Sequence, residues 1–324
     1  MINYLMNGNS PVIAFIGVLT AFFATCLAIE KCEKFLPKDA GREFAVDGKQ
    51  AKGKPRGAGF IFILVFMVSA LLFAQISLEM IIYLVLIGAE MLTGFLDDAS
   101  EKPWGELKKG ILDLIVAVMA AGTYINHNSC QVEIATLGIN FALPPVVFGI
   151  LTVILVWASI NVTNCADGVD GLSGTLTIIT MMSIFGADVI RGKTGTFAYP
   201  ILLFAVCVLG YLWYNAAPSR LLMGDAGSRA MGFAISIAVL KTGSPFLYIP
   251  FAFVLMMDGG LGLLKVSCIR YLKLHILNHV RTPLHDHVRK NMDWSGTQTV
   301  FRFAIIQIMI SAAAFYFIFI QIMR

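Results

Sequence analysis

The chain has 324 residues, of which 58% are hydrophobic and only 14% are charged, with a formal net charge of +4. This composition is typical of a membrane protein, because a surface that faces lipid cannot carry charge cheaply. It excludes the two or three soluble domains that a chain of this length would otherwise form. We therefore expect residues 1–324 to form a single integral-membrane domain, with no nucleic-acid partner.

Ten apolar segments follow one another along the chain, most of them close to the roughly 20 residues that a transmembrane helix requires. They predict an all-α polytopic membrane protein with about ten transmembrane helices. The segments lie near residues 11–30, 58–76, 79–96, 110–126, 144–161, 172–190, 197–214, 229–241, 246–264 and 300–323. The eighth is short, and we expect Asp258 and Gly259-Gly260 to break the ninth. Between the fourth and fifth, residues 131–143 predict a short β-hairpin that turns at Leu137-Gly138.

The basic residues are unevenly distributed over the two sides of this arrangement. Of the 24 Lys and Arg residues, all but four lie in the loops that follow odd-numbered spans or at the adjoining helix ends. The four exceptions are Arg191, Lys193, Lys241 and Arg324. Because cytoplasmic loops carry an excess of Lys and Arg, we expect both termini and the hairpin to be extracytoplasmic. This topology places four polar clusters on the cytoplasmic face.

The first cluster, Asp97-Asp98, ends the third predicted span. A solvated helix end is the simpler explanation, but carboxylates at the C-terminus of a helix oppose its macrodipole. Two adjacent acids there are unfavourable unless they act on a cation or a phosphate. We expect a functional role for this pair.

The second cluster, Asn164-x-x-Asp167-Gly168-x-Asp170-Gly171, lies in a loop that contains no Lys or Arg. Asn, Asp and Gly favour turns, so a simple turn is the alternative. Carboxylate and amide oxygens at this spacing also suit Mg²⁺. The glycines would let the backbone approach a nucleotide, which favours a binding loop.

The third cluster, Gly224-Asp225-x-Gly-Ser228, precedes the eighth span and either caps that helix or binds a metal or phosphate. The fourth, His285-Asp286-His287, lies among basic residues. It either faces anionic lipid headgroups or supports a pyrophosphate or an acid–base step. Asp258 lies inside a span, where it either has a functional role or stabilises a broken helix.

The four clusters together favour phosphoryl chemistry at the inner leaflet. Mg²⁺ would neutralise a diphosphate, lysines would steer anions, and grooves between helices would hold a long lipid; catalysis of such transfer is mostly positioning and charge stabilisation. A transporter is the alternative from another class. It would place facing polar residues at the midplane, whereas here they gather at one edge.

Three motifs resemble, in order and spacing, those of the polyprenyl-phosphate N-acetylhexosamine-1-phosphate transferases. They are Gly94-Phe-Leu-Asp97-Asp98, Asn164-x-x-Asp167-Gly-x-Asp170-Gly-Leu and Met223-Gly-Asp225-x-Gly-Ser228, the last preceded by Tyr214-Asn215-x-x-Pro218. The resemblance extends over nearly the whole chain. It implies a Mg²⁺-dependent enzyme of the bacterial plasma membrane, multi-pass, with its active site on the cytoplasmic face.

The His285-x-His287 loop, followed by Trp294-Ser295 and Arg302-Phe303, resembles the branch of that family whose donor is UDP-MurNAc-pentapeptide. This implies transfer of phospho-MurNAc-pentapeptide to undecaprenyl phosphate, a homodimer, and sensitivity to nucleoside antibiotics. Two positions depart from that branch, since Asp286 replaces a histidine and Leu222 replaces a phenylalanine. Residues 53–59 resemble the UDP-GlcNAc branch equally well, so transfer of GlcNAc-1-phosphate is the alternative.

The resemblance also implies roles for the acidic residues. Asp225 and Asp167 would bind Mg²⁺, and Asp167 would also position the diphosphate. Asp97 and Asp98 would orient or deprotonate the phosphate of the lipid acceptor.

Basic and polar residues would complete the site. Lys109, with Lys108 as an alternative, corresponds to a lysine of the family, and His285 would hold the diphosphate. Further substrate contacts are expected from Asn164, Gly168, Asp170, Asn215, Leu222, His287 and one of the pair Lys52 and Lys54.

Overall fold

The computed structural model describes residues 11–39, 41, 51–100 and 102–323, and within these ranges the chain is a helical bundle with one small hairpin. The helices are α1 (Pro11–Cys32), α2 (Gly59–Phe73), α3 (Leu78–Asp98), α4 (Glu106–His127), α5 (Pro145–Cys165), α6 (Leu172–Ile190), α7 (Ala198–Asn215), α8 (Gly224–Lys241), α9 (Pro245–Phe251), α10 (Phe253–Leu272), α11 (Leu284–Asn291) and α12 (Gly296–Met323). The strands are β1 (Gln131–Ile134) and β2 (Ile139–Ala142).

All ten expected segments are helical, but length and composition support fewer membrane spans. Among the described residues, seven helices qualify (α1, α3 to α7 and α12), and the bent pair α9–α10 would make eight. α2 has only 15 residues, and α8 carries Asp225, Arg229 and Lys241. The chain is thus a multi-pass membrane protein, while the count of ten stays a prediction. Residues 1–10 and Arg324 lie outside the described residues, so the sidedness of the termini also stays a prediction.

Helix α8 lies at the centre of the bundle, where it packs mainly against α3 and α5. Glycines permit the close approach of these backbones. A Cβ atom on Gly94 would lie 2.4 Å from the carbonyl oxygen of Asp225, and one on Gly232 would lie 2.4 Å from that of Ser159. On α2, a Cβ on Gly59 would lie 2.0 Å from the backbone nitrogen of Gly227. These contacts fix the start of α8 against the end of α3.

Two charge clusters join helices of the bundle: a buried one that links α3, α4 and α8, and a partly buried pair that links α3 and α8. In the first, Arg229 contacts Asp113 and lies 3.3 Å from Glu90, and all three side chains are at most 2% exposed. Arg229 was counted from the sequence among basic residues of the cytoplasmic side, but it lies one turn inside α8 and is buried. In the second, the ammonium of Lys241 contacts Glu79 at 2.9 Å. A buried charge is costly without a partner, so the Arg229 cluster constrains the register of α3, α4 and α8.

The predicted hairpin is confirmed at the expected position. β1 and β2 pair antiparallel, and Gly138, at the turn, has a positive φ of 69° that glycine adopts readily. The backbone nitrogen of Glu133 donates to the carbonyl of Gly243, just beyond the end of α8. The hairpin therefore lies at the end of the bundle opposite Asp225, which is in the first turn of α8.

The ninth segment is broken, as expected, but the position of the break differs from the prediction. The helix axis bends by 73° between α9 and α10, at Ala252. The amide of Gln307 enters this break, accepting from the backbone of Val254 and donating to the carbonyl of Pro250, both at 2.9 Å. A side chain that replaces missing backbone partners is a common cause of a helix kink.

Asp258 and Gly259-Gly260, where the break was expected, lie instead in a continuous π-helical turn. A Cβ on Gly259 would lie 2.1 Å from the carbonyl oxygen of Val162, so this glycine allows α10 to approach α5 closely. The turn also directs Asp258 into the protein interior, where its exposure is 0%.

Candidate active site

The end of α3, the start of α8 and the first turn of α4 meet at one end of the bundle. Lys109 on α4 lies between two acids, in contact with the Oδ2 atom of Asp97 and 2.9 Å from the Oδ2 atom of Asp225. Asp98 accepts a hydrogen bond from the backbone nitrogen of Ala226 at 3.2 Å. The structure therefore brings Asp97, Asp98, Asp225 and Lys109 together, as the sequence predicted.

A fifth side chain, Arg56, belongs to the same cluster and was not among the predicted site residues. Its Nε atom donates to Asp98 at 2.7 Å, and its Nη1 atom donates to Asp39 at 2.8 Å. Its Nη2 atom lies 3.5 Å from the Oδ1 atom of Asp225. Arg56 thus bridges three carboxylates from three separate segments of the chain.

Backbone pairing explains why Arg56 occupies this place. Arg56 forms a parallel β-bridge with Leu222, and its backbone nitrogen donates to Pro37 at 2.8 Å. Its neighbour Pro55 accepts from the backbone of Leu222 and pairs antiparallel with Lys38. Short local patterns carry little information on such bridges between distant segments, so the sequence alone did not identify Arg56.

The loop after α5 forms the other wall of a cleft that also contains Asp225 and Arg56. Asp167 accepts from Ser173 at 2.6 Å, and Asn164 accepts from Ser228 on α8 at 2.8 Å. The lining residues include seven of the predicted site residues: Asn164, Asp167, Gly168, Asp170, Asn215, Leu222 and Asp225. They come from three separate stretches of the chain, so two of the predicted polar clusters lie together at one cleft.

Asp170 lies at the edge of the cleft and is joined to Lys54. The ammonium of Lys54 lies 3.7 Å from Asp170 and donates to Ser219 at 2.9 Å. Asp170 also accepts from the backbone nitrogen of Ser219 at 3.0 Å. Asn215 supports the same loop by accepting from the backbone of Gly171 at 2.8 Å.

His285 approaches the cleft from α11 and is held by Asp258. Its Nδ1 atom lies 2.8 Å from the Oδ2 atom of Asp258, and its backbone nitrogen donates to the same carboxylate at 2.7 Å. A Cβ on Gly168 would lie 2.1 Å from the Nε2 atom of His285, so the ring lies directly against this glycine. Burial alone would lower the pKa of His285, but the charge and the hydrogen bond of Asp258, together with the charge of Asp286, outweigh burial, and the pKa is raised.

Three of the other predicted basic residues are not brought into the cleft. Lys52 is exposed, and His287 accepts from the backbone of Arg281 at 3.3 Å. The ammonium of Lys108 lies 3.1 Å from the centre of the Trp104 ring, whereas Lys109 contacts the carboxylates. Of the alternatives left by the sequence, the structure therefore places Lys54 and Lys109 in the site.

Carboxylates outnumber cations in this part of the described chain. The acids are Asp39, Asp97, Asp98, Asp167, Asp170 and Asp225, and the bases paired with them are Arg56, Lys54 and Lys109. Burial alone would lower the pKa of Arg56, but its acidic neighbours raise it, so the guanidinium stays charged. The excess of negative charge favours the binding of a further cation.

The donor atoms suit a hard divalent cation. In the described residues, no three His, Cys, Asp or Glu side chains are arranged as a complete metal-binding group. Mg²⁺ commonly takes only one or two protein carboxylates and completes its coordination with waters and substrate phosphates. Asp225 and Asp167, which line one cleft together with the amide of Asn164, fit that pattern.

Comparison with known proteins agrees with this geometry. The profile of glycosyl transferase family 4 matches residues 80–243, which include Asp97, Asp98, Lys109, the loop after α5 and Asp225. A phospho-N-acetylmuramoyl-pentapeptide-transferase of Treponema pallidum (strain Nichols) is 39% identical over 310 residues, covering 90% of this chain and 85% of the relative. The chain belongs to the phospho-N-acetylmuramoyl-pentapeptide-transferase family.

Other members of this family from distant bacteria are also similar. The protein of that name from Symbiobacterium thermophilum is 31% identical over 78% of each chain. The one from Gemmatimonas aurantiaca is 26% identical over 92% of this chain and 90% of the relative. The similarity therefore extends over the spans and loops on both sides of the cleft.

Proposed function

We propose that the chain transfers phospho-MurNAc-pentapeptide from UDP-MurNAc-pentapeptide to undecaprenyl phosphate. The products are undecaprenyl-diphospho-MurNAc-pentapeptide (lipid I), an intermediate of peptidoglycan biosynthesis, and UMP. The membership of the family supports the choice of donor. The observation that carries the chemistry is the meeting of Asp97, Asp98 and Asp225 around Lys109 at the edge of one polar cleft.

The proposed reaction is a direct attack. An oxygen of the lipid phosphate forms a bond to the phosphorus on the sugar side of the donor diphosphate, while the bond from that phosphorus to the bridging oxygen breaks and UMP leaves. Because a phosphate monoester has a second pKa of about 6, the acceptor is mostly dianionic at neutral pH and needs little help from a base. One anhydride replaces another, so no further energy source is needed.

In this proposal two of the acidic residues bind the metal and two others position the lipid acceptor. Asp225 and Asp167 would hold Mg²⁺, which when bound would neutralise charge on the diphosphate. Asp98 and Asp97 would orient the acceptor phosphate through the cations that they hold, Arg56 and Lys109, because two anions repel each other. Asp98 is suited to this positioning because Arg56 and the backbone of Ala226 fix its carboxylate.

The remaining residues would bind the donor. Lys109 would stabilise charge on the transferring phosphoryl group, and His285, held by Asp258, would contact the diphosphate. Asn164 would position the diphosphate. The uridine would lie against the loop after α5, at Gly168 and Asp170, with additional contacts from Asn215 and Leu222 and from Lys54, which pairs with Asp170.

We also propose the cellular setting. The excess of Lys and Arg on the side of the cleft supports a cytoplasmic active site in the plasma membrane of a bacterium, because positively charged loops stay inside. A homodimer and inhibition by nucleoside antibiotics that compete with the uridine are further expectations for this enzyme.

A release assay tests the reaction. Purified protein, Mg²⁺ and undecaprenyl phosphate are incubated with UDP-MurNAc-pentapeptide or with UDP-GlcNAc, and UMP is measured. We expect UMP only from the first donor. Release from UDP-GlcNAc alone would favour the GlcNAc-1-phosphate transferase suggested by residues 53–59. If neither donor released UMP, the proposed transferase activity would be refuted.

The same preparation distinguishes direct attack from a covalent intermediate. Donor labelled in the sugar phosphate is added without lipid acceptor, and the protein is isolated under denaturing conditions. Direct attack predicts no label on the protein. Label on Asp97 or Asp98 would show that an enzyme-phosphosugar forms first.

A further inference from the structure

Both carboxylate oxygens of Asp225 face basic side chains of the protein itself. Its Oδ2 atom lies 2.9 Å from the ammonium of Lys109, and its Oδ1 atom lies 3.5 Å from the guanidinium of Arg56. A cation that binds Asp225 is repelled by both positive charges, so its binding favours displacement of one of these groups. The contact with Arg56 is the longer one, so Arg56 is the easier group to displace.

Arg56 would not leave the site when this contact is lost. Its Nε and Nη1 atoms remain bound to Asp98 and Asp39 at 2.7 and 2.8 Å, and its backbone is paired with Leu222. Only the Nη2 atom would be released. The guanidinium would stay at the cleft with an N–H group available for another acceptor.

The chemistry of the released group points to phosphate. A guanidinium presents five N–H donors in a planar fork, which matches the oxygens of carboxylates and phosphates. Because Asp98 and Asp39 would still be bound, the guanidinium group would keep its orientation. Its side chain is 17% exposed at the cleft, which leaves it accessible to a ligand.

We propose that Arg56 is a phosphate-binding residue that a divalent cation at Asp225 switches from the protein carboxylate to the substrate. In the free protein Arg56 occupies part of the cation site. Binding of the cation exchanges this ion pair for one between Arg56 and a substrate phosphate, so metal and substrate binding are coupled. The proposal rests on the proposed function for the identity of the substrate, but not for the competition at Asp225.

The first experiment measures metal binding without substrate. Mn²⁺ is titrated into detergent-purified full-length protein and followed by electron paramagnetic resonance. Arg56→Gln removes the competing charge, so we expect it to bind Mn²⁺ about 3-fold or more tightly than wild type. An effect of this size is comparable with the contribution of an exposed charge pair. A residue that only braced Asp98 and Asp225 would give the opposite result, weaker Mn²⁺ binding.

The second experiment measures the phosphate contact at saturating Mg²⁺. Loss of a hydrogen bond to a charged group should weaken phosphate binding by about 10-fold or more in Arg56→Gln. UDP binding and the KM of the donor report on the diphosphate, and the KM of undecaprenyl phosphate reports on the acceptor. UDP binding needs no turnover, so a failure of the proposed reaction leaves this test intact.

Two further variants serve as controls for a general loss of folding. Arg56→Lys keeps the charge but loses the fork, so it should bind Mn²⁺ like wild type while phosphate binding still weakens. Arg220→Gln changes the same residue type in a nearby loop, where the guanidinium pairs with Glu30 and Glu33, and should change neither quantity.

The proposal requires tighter Mn²⁺ binding together with weaker binding of UDP or of the lipid acceptor in Arg56→Gln. Unchanged or weaker Mn²⁺ binding overturns it, as does phosphate binding within twofold of wild type. If Arg56→Gln does not fold, the test rests on phosphate binding by Arg56→Lys: weaker binding of UDP or of the lipid acceptor supports the proposal, and unchanged binding overturns it.

Discussion

Gly94→Ala should separate the two helices that carry the acids Asp97, Asp98 and Asp225, for which we propose a catalytic role. The added Cβ would lie 2.4 Å from the backbone carbonyl of Asp225, whereas ordinary contact begins at 3.4 Å. The obstacle is backbone rather than a flexible side chain, so α3 and α8 must move apart by roughly 1 Å. Asp97 and Asp98 follow Gly94 by only three and four residues, so this shift moves them away from Asp225.

The size of both effects follows from this displacement. Overpacking a closely packed contact costs about 1–3 kcal/mol, and the better helix propensity of Ala offsets about 0.5–1 kcal/mol of it. Activity should fall further than stability, because a displacement of about 1 Å at a reacting centre can reduce the rate roughly 100-fold. The expected signature is a modest loss of Tm with a large loss of kcat.

Two glycines provide matched controls. Gly88→Ala lies on the same helix but meets only the flexible side chain of Met67, at 3.2 Å, and Gly122→Ala on α4 meets nothing within 4 Å. Both should keep nearly wild-type activity when Tm and UMP release are measured in detergent. Wild-type kcat in Gly94→Ala would refute the argument that this contact sets the distance between the acids.

Three further outcomes follow from the site and its supports. Asp98→Asn should abolish UMP release while thermal unfolding stays near wild type; an active variant would refute its assigned role. Arg229→Met leaves Glu90 and Asp113 buried without their cation, so stability measured by chemical unfolding should fall by about 3–5 kcal/mol. The pKa of His285 is raised by Asp258, so their pairing stabilises the fold below about pH 6.5 and is lost as pH rises through the raised value. The difference in Tm between wild type and Asp258→Asn should therefore shrink with rising pH, and a difference that grows would contradict the pairing.

The sequence was sufficient to predict the acidic half of the site. Asp97, Asp98 and Asp225 are charged residues in an apolar chain, and Asn164 and Asp167 form a short local pattern of oxygen donors. Such residues are recognisable because burying a charge without a partner is costly. Their assignment to one side of the membrane then followed from the distribution of Lys and Arg.

The basic residues were only partly predicted. Lys54, Lys109 and His285 were expected in the site, whereas Arg56 in the site and Arg229 in the bundle interior are placed by contacts distant in sequence. Arg56 is placed by its β-bridge with Leu222 and by the bridge of its neighbour Pro55 with Lys38, and Arg229 pairs with Asp113 across 116 residues. Neither lies in a recognisable local pattern. Both looked like ordinary basic residues of the cytoplasmic side.

The fold shows the same division between local and distant causes. The boundaries of the long helices and the hairpin turn at Gly138 follow from local composition and were close to the prediction. The kink at Ala252 depends on Gln307, which lies 55 residues further along the chain. The glycine pair that suggested a break serves close packing against α5 instead.

The identity of the lipid product tests the central claim most directly. Purified protein is given undecaprenyl phosphate, Mg²⁺ and equal amounts of UDP-MurNAc-pentapeptide and UDP-GlcNAc, and the lipid fraction is analysed by mass spectrometry. We predict undecaprenyl-diphospho-MurNAc-pentapeptide as the product. A product that carries a single N-acetylhexosamine, or unreacted undecaprenyl phosphate alone, would contradict the proposed function.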